Sequence, residues 1–196
     1  MLVALLDTSV LWPSLQRDFL LSLAAEGLYR PVWSTAILAE LEWHEQAKLR
    51  RLGMSGPQAE GRAQRLVAEM RRAFNDAEVA GYEALEGSYG LPDPDDEHVV
   101  AAAVLADAKA IVTLNARDFP AGRLPAGIDV LPPAEFTYGI VLAEPTGGLR
   151  AVAEIAARSG SGGRMPRSID GILDVLAGRY DMGDTAQVLR SADRLL

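Results

Sequence analysis

Leu2 to Leu6 is an unbroken run of apolar residues that stops on an aspartate, Asp7. A run this short and this uniform predicts a strand buried on both faces, since a half-exposed strand alternates and a helix needs a longer stretch. Similar runs recur at Pro31-Val32-Trp33, at Ala110-Ile111-Val112-Thr113 and over residues 128–131. Helical spacing fills the gaps between them. Phe19, Leu20, Leu23 and Leu28 follow Pro13 at helical intervals around a stop at Gly27, and Ser34 offers an N-cap to a helix through Ile37, Leu38 and Leu41. A helical hairpin is expected next, broken near Gly53-Met54-Ser55-Gly56-Pro57. Asp95 or Asp96 then opens an alanine-rich helix over residues 99–106, and a further helix runs from Pro133 towards Ala143. Residues 79–91 carry no readable pattern. Strands alternating with helices predict an α/β fold built on a parallel, helix-covered sheet.

The 196 residues suit one domain, or one domain with an appendage. The character changes after Glu144, which gives the expected division into a sheet domain of residues 1–144 and a helical extension of residues 145–196. The extension holds the run Ser159-Gly160-Ser161-Gly162-Gly163 and two apolar stripes, Ile169, Ile172, Leu173, Leu176 and Val188, Leu189, Ala192, Leu195. Three short helices in need of a surface to cover their stripes are expected there. Asp7 falls too early for a signal peptide, and no apolar run approaches the roughly 18 residues of a membrane span, so a soluble cytoplasmic protein is the expectation.

The chain has no cysteine and two histidines, His44 and His98. Disulfide scaffolds, thiolate metal sites and cysteine nucleophiles are thereby excluded, and any metal must take oxygen ligands. The formal charge is −8, but it is unevenly spread. Lys48, Arg50, Arg51, Arg62, Arg65, Arg71 and Arg72 face only Glu60 and Glu69 within residues 48–72, whereas residues 74–97 carry eight acids and no base.

In a parallel sheet, ligands gather beyond the carboxyl ends of the strands where the strand order reverses. Asp7 ends the first strand, Asn115 and Asp118 follow the strand at residues 110–113, Asp96 opens the helix before it, and Glu40 lies near the apolar stripe of the helix after the second. Carboxylates gathered closely cannot all stay ionised without a cation, and Mg²⁺ or Mn²⁺ suits such oxygen donors. The chemistry that follows is hydrolysis at phosphorus. Singly, each residue has a plainer use as a cap, a turn residue or a solvated side chain. His44 and His98 read as surface or packing residues. Trp12, Trp33 and Trp43 read as core rather than as base-stacking platforms.

LLDTSVLWPSLQRDFL, WSTAILAELEW and LPDPDDEHVVAAAVLADAKAIVTLNARDFP together resemble a PIN domain across roughly residues 1–140, and more narrowly the VapC-type ribonuclease toxins of bacterial toxin–antitoxin pairs. The resemblance implies a helix-flanked parallel sheet with an acidic, metal-dependent nuclease site. By position it makes Asp7, Glu40, Asp96 and Asp118 the catalytic acids, with Asp7, Asp96 and Asp118 on the metal and Ser9, Thr113 and Asn115 supporting them by hydrogen bonds. Many relatives carry an aspartate where this chain has Asn115, so either Asp118 supplies that charge or three carboxylates suffice. The basic hairpin, with Lys48, Arg50, Arg51, Arg62 and Arg65, would hold RNA phosphates. Implied partners are structured RNA (tRNA or ribosomal RNA), a small cognate antitoxin and a second copy of the chain, with no membrane. Two alternatives stay open: a non-catalytic RNA-binding or scaffolding module, and a housekeeping RNA-processing nuclease. An aspartate-nucleophile phosphatase fits poorly, because Ser9 stands where its second aspartate belongs.

Overall fold

A computed structural model describes residues 1–160 and 165–194. In chain order its main elements are β1 (Val3–Leu6), α1 (Thr8–Leu11), α2 (Ser14–Ala25), β2 (Arg30–Ser34), α3 (Thr35–Arg51), α4 (Gly56–Ala73), β3 (Glu78–Val79), α5 (Glu97–Leu105), β4 (Ala110–Val112), β5 (Asp129–Leu131), α6 (Pro133–Ala143), α7 (Pro145–Ser159), α8 (Ile169–Tyr180) and α9 (Gly183–Asp193). They form two packing units. A sheet unit comprises Val3–Trp12 and Pro31–Val130, and a helical unit comprises Met1–Leu2, Pro13–Arg30 and Leu131–Leu196.

The sheet is five-stranded and parallel, in the order β3-β2-β1-β4-β5. The chain builds outward from β1 through β2 to β3, then returns to lay β4 on the other side of β1. The reversal therefore falls between β1 and β4, where Ala4, Leu5 and Leu6 stand against Ala110, Ile111 and Val112. All six residues are buried, as the uniform apolar runs require. Helix α5 packs on both strands, and its residues 99–103 are wholly buried. The expected α/β class, the hairpin of α3 and α4, and the strands at β1, β2, β4 and β5 are all present.

Residues 79–91 gave no pattern for a physical reason. β3 is two residues long and pairs with β2 only through Trp33–Glu78 and Ser34–Val79, too short to show a period. The loop before α5 is organised instead by one buried side chain. Glu97 accepts the backbone N–H groups of Tyr89 (3.2 Å), Gly90 (2.6 Å) and Leu91 (3.2 Å), helped by the positive φ of +62° at Gly90. Burial raises the Glu97 pKa, but these amide donors together outweigh it and hold the carboxyl below the usual glutamate value. Replacing Glu97 by alanine strands three loop donors, and urea unfolding at neutral pH is expected to show a lower midpoint than the wild type. Because the folded pKa is depressed, this contribution is present at neutral pH and is lost as the pH falls through the folded value.

In the helical unit, α2 packs on α7 and α8, α6 on α7 and α9, and α7 on both α8 and α9. Ile172, Leu173, Leu176 and Leu189 are buried in this cluster, so the covering surface the stripes need is supplied by α2 and α6. Close approach depends on two glycines. A Cβ on Gly147 would lie 2.7 Å from Leu28 Cδ2, and one on Gly148 would lie 2.8 Å from Leu189 Cδ2. In this packing α2 and α6 group with the C-terminal helices. Leu195 and residues 161–163 of the glycine-serine run lie outside the described residues. Among the described residues no helix is long and apolar enough to cross a membrane.

Candidate active site

Asp7 sits at the carboxyl end of β1, its backbone N–H donating to Val112 at the end of β4 (3.1 Å). It occupies the N-cap position of α1, yet its side chain makes no capping bond. Two hydroxyls hold it instead. Ser9 Oγ (2.6 Å) and Thr113 Oγ1 (2.7 Å) both donate to the same oxygen, Oδ2. The hydroxyls are themselves fixed by the backbone N–H groups of Leu114 and Asn115, which donate to Ser9 Oγ and Thr113 Oγ1. Asp7 and Thr113 are buried. The crossing point of the sheet thus presents a carboxylate whose orientation is set from behind.

Glu40 projects from α3, whose start is capped by Ser34 Oγ accepting from the Ile37 N–H (3.0 Å). Thr8 Oγ1 donates to Glu40 Oε2 (2.6 Å), and His98 Nε2 lies 3.3 Å from Oε1. His98 Nδ1 in turn meets Ser34 Oγ at 2.9 Å, so the cap of α3 also fixes the imidazole. Partial burial raises the Glu40 pKa, but the bonds from His98 and Thr8 and the fields of His98 and His44 together hold it below the usual value. The sequence reads His98 as a surface or packing residue and gives Thr8 no separate role. His98 is buried, but it is also a partner of Glu40. No local signal marks either residue, because each partnership joins separate elements.

Asp96 closes the short turn Pro94–Asp96 and stands at the N-cap of α5, again without a capping bond. Its carboxyl is pushed up to about 6, by burial first and then by the charges of Asp118, Asp7 and Asp93, against a smaller opposing effect of His98. These acids are far apart in sequence, and the fold brings them within electrostatic reach of one another. Asp118 ends the turn Ala116–Asp118, its N–H donating to the Asn115 carbonyl (2.9 Å). Among the charges raising Asp96, that of Asp118 is the largest. Asn115 is exposed at the start of the same turn.

As the side chains stand, no group of three or more His, Asp or Glu residues among the described residues is arranged to hold a metal ion. The donor chemistry nevertheless fits a hard divalent cation. It consists of oxygen alone, and Asp96, raised first by burial and then by the charges of Asp118, Asp7 and Asp93, is the carboxyl that a nearby cation would relieve most.

The basic residues divide into two kinds. Lys48 is engaged by Glu45 in a close ion pair, and Arg71 by Glu78 (2.6 and 2.8 Å). Arg50 and Arg51 are exposed at the end of α3, and Arg62 and Arg65 are exposed on α4. The tryptophans require a correction. Trp33 is buried as expected, but Trp12 is 36% exposed and Trp43 is 65% exposed. The phase of α3 explains Trp43: Ile37, Leu38, Leu41, Glu45 and Leu49 form the buried face, and residue 43 falls outside it.

No curated protein and no solved structure matches this chain. The family model for the PIN domain matches residues 3–117, more than half of the chain, and that stretch contains Asp7, Glu40, Asp96 and Asn115 and ends one residue before Asp118. With the parallel pair of β1 and β4 inside the matched region, the chain belongs to the PIN domain family.

Proposed function

We propose that this protein is a Mg²⁺- or Mn²⁺-dependent endoribonuclease acting on structured RNA, tRNA or ribosomal RNA, as the cytoplasmic toxin of a toxin–antitoxin pair. PIN domains are generally nucleases and typically use divalent metal ions, which gives the chain a nuclease-type function. The observation that supports metal dependence is the raised pKa of Asp96: burial is its largest cause, the charges of Asp118, Asp7 and Asp93 add to it, and a cation among these acids would offset both.

In this reading Asp7, Asp96 and Asp118 hold the metal. When bound, it would polarise the phosphoryl oxygen and make an attacking water more acidic. Ser9 and Thr113 fix Asp7 through one oxygen, leaving the other for the ion. Glu40, kept ionised by Thr8 and His98, orients that water or takes its proton. Asn115 orients the strand-end turn or a water. Arg50, Arg51, Arg62 and Arg65 hold phosphates, with Lys48 contributing when RNA competes with Glu45. A small antitoxin and a second copy of the chain are the proposed protein partners. One observation favours the alternative of a non-catalytic RNA-binding module: the described side chains do not form a closed ligand group.

Purified full-length protein separates the two. With Mn²⁺, total RNA is expected to yield discrete fragments that disappear when EDTA is added. Intact RNA under saturating Mn²⁺, with binding retained, would leave the module reading in place.

A further inference from the structure

Helices α1 and α3 meet along successive rungs. Thr8 bonds to Glu40 at one rung, and four residues further along each chain Trp12 meets His44, with ring centroids 5.9 Å apart. Residues four apart on a helix share a face, one turn on, so this aromatic pair stands about 6 Å along the helix from the Glu40 carboxylate. Trp43 extends the patch, edge-on to His44 with centroids 4.8 Å apart and an interplanar angle of 76°.

A tryptophan this exposed contributes little to folding, since most of its apolar area remains in water. The order of chemistry along α3 gives it a different use. Reading outward, the helix presents a carboxylate at Glu40, an aromatic surface at Trp43 and His44, and exposed guanidinium groups at Arg50 and Arg51. The span from residue 40 to residue 51 is roughly 16 Å. A single-stranded nucleic acid requires the same order: a phosphodiester at the acids, a base on the rings and further phosphates at the arginines.

We propose that Trp43 and His44, backed by Trp12, form a stacking platform for an unpaired base next to the phosphodiester that is cut. This rests on the nuclease reading above and assigns the nucleotide beside the cut to named residues of this chain. Stacking tolerates any base, since each has a π face, so the platform selects for an unpaired nucleotide rather than for a sequence. A base in a duplex has both faces covered by its neighbours and cannot use it.

The test uses the full chain in an Asp96→Asn background, so that RNA stays intact. An unstructured eight-nucleotide RNA is titrated alongside an abasic ribose-phosphate oligomer of the same length, with affinity followed by anisotropy and tryptophan fluorescence. The RNA is expected to quench the exposed tryptophans. Trp43→Ala should weaken RNA binding about tenfold without changing affinity for the abasic oligomer, and Trp43→Phe should restore most of the loss. Equal RNA affinity with and without Trp43 overturns the proposal. So does an equal loss of affinity for both oligomers, or a fall from dimer to monomer in Trp43→Ala with RNA affinity intact, which would make this face a contact between copies. The otherwise native chain distinguishes the two readings. If it does not cleave RNA but Trp43→Ala still shows the base-dependent loss, the nuclease reading fails alone. If it cleaves and Trp43→Ala binds and cleaves equally well, the platform fails alone.

Discussion

Replacing Asp96 by asparagine is expected to reduce RNA cleavage about a thousandfold while making the metal-free protein more stable above pH 6. The first effect follows from the several kcal/mol of transition-state stabilisation that a bound cation supplies, at about 1.4 kcal/mol per tenfold in rate. The second follows from the direction of the pKa shift. Asp96 titrates near 6 in the fold, against 3.8 for an ordinary aspartate. The native state therefore holds a proton that the unfolded chain has already released, and stability falls as the pH rises through that window. Above it the carboxylate is ionised against Asp118, Asp7 and Asp93. The group is partly exposed, so solvent screening reduces the cost to about 1 kcal/mol. Urea unfolding in EDTA at pH 4.5 and pH 7.5 should show the wild type losing about this much more than Asp96→Asn. Excess Mn²⁺ should restore stability to the wild type far more than to the variant, since an ion that binds only the native state stabilises it by mass action. Equal pH dependence in the two proteins would show that Asp96 stores no repulsion, and the case for a cation at this point would fail with it.

The part of this site that could be read in the sequence is the part that parallel-sheet geometry imposes. Strands buried on both faces leave short uniform apolar runs, and each run ends where a polar side chain replaces the apolar ones, so Asp7 and the residues after Val112 are marked as strand ends without reference to contacts. The supporting hydrogen bonds are a different matter. Thr8 and His98 reach Glu40 from two other elements, and no spacing within one segment encodes such a meeting. The run Asp93, Asp95, Asp96, Glu97 shows the limit sharply. Four acids of similar propensity stand together, yet Asp93 caps its own turn through the Asp95 N–H, Asp96 enters the charged cluster and Glu97 is buried under a loop. The phase at which α5 begins and the positive φ of Gly90 decide among them. Trp43 is legible by another route: the phase of α3, with Ile37, Leu38, Leu41, Glu45 and Leu49 on its buried face, places residue 43 outside the core.

Ending the chain after Glu144 is expected to collapse its soluble yield, even though every residue proposed for catalysis lies before that point. Such a truncation looks harmless if residues 145–196 are an appendage. The packing within the helical unit predicts a larger effect. Leu149, Val152, Ile155, Ile172, Leu173, Leu176 and Leu189 are buried, and α7, α8 and α9 pack on α2 and α6 within one unit. Each such side chain contributes about 1.5–3 kcal/mol on burial, so losing seven removes about 10–20 kcal/mol, as much as the whole net stability of about 5–15 kcal/mol of a typical domain. The truncated chain also leaves the covered faces of α2 and α6 as an apolar patch of the kind that drives association. Expression with light scattering should show aggregate, and urea unfolding of any soluble fraction should show an early transition from loss of the helical unit. Calorimetric Mn²⁺ titration of that fraction should still register binding, because Asp7, Glu40, Asp96 and Asp118 all belong to the sheet unit. A truncated protein as soluble and as resistant to urea as the parent would mean that α2 and α6 do not depend on the C-terminal helices. Loss of Mn²⁺ binding from folded, soluble truncated protein would instead place part of the cation site beyond residue 144.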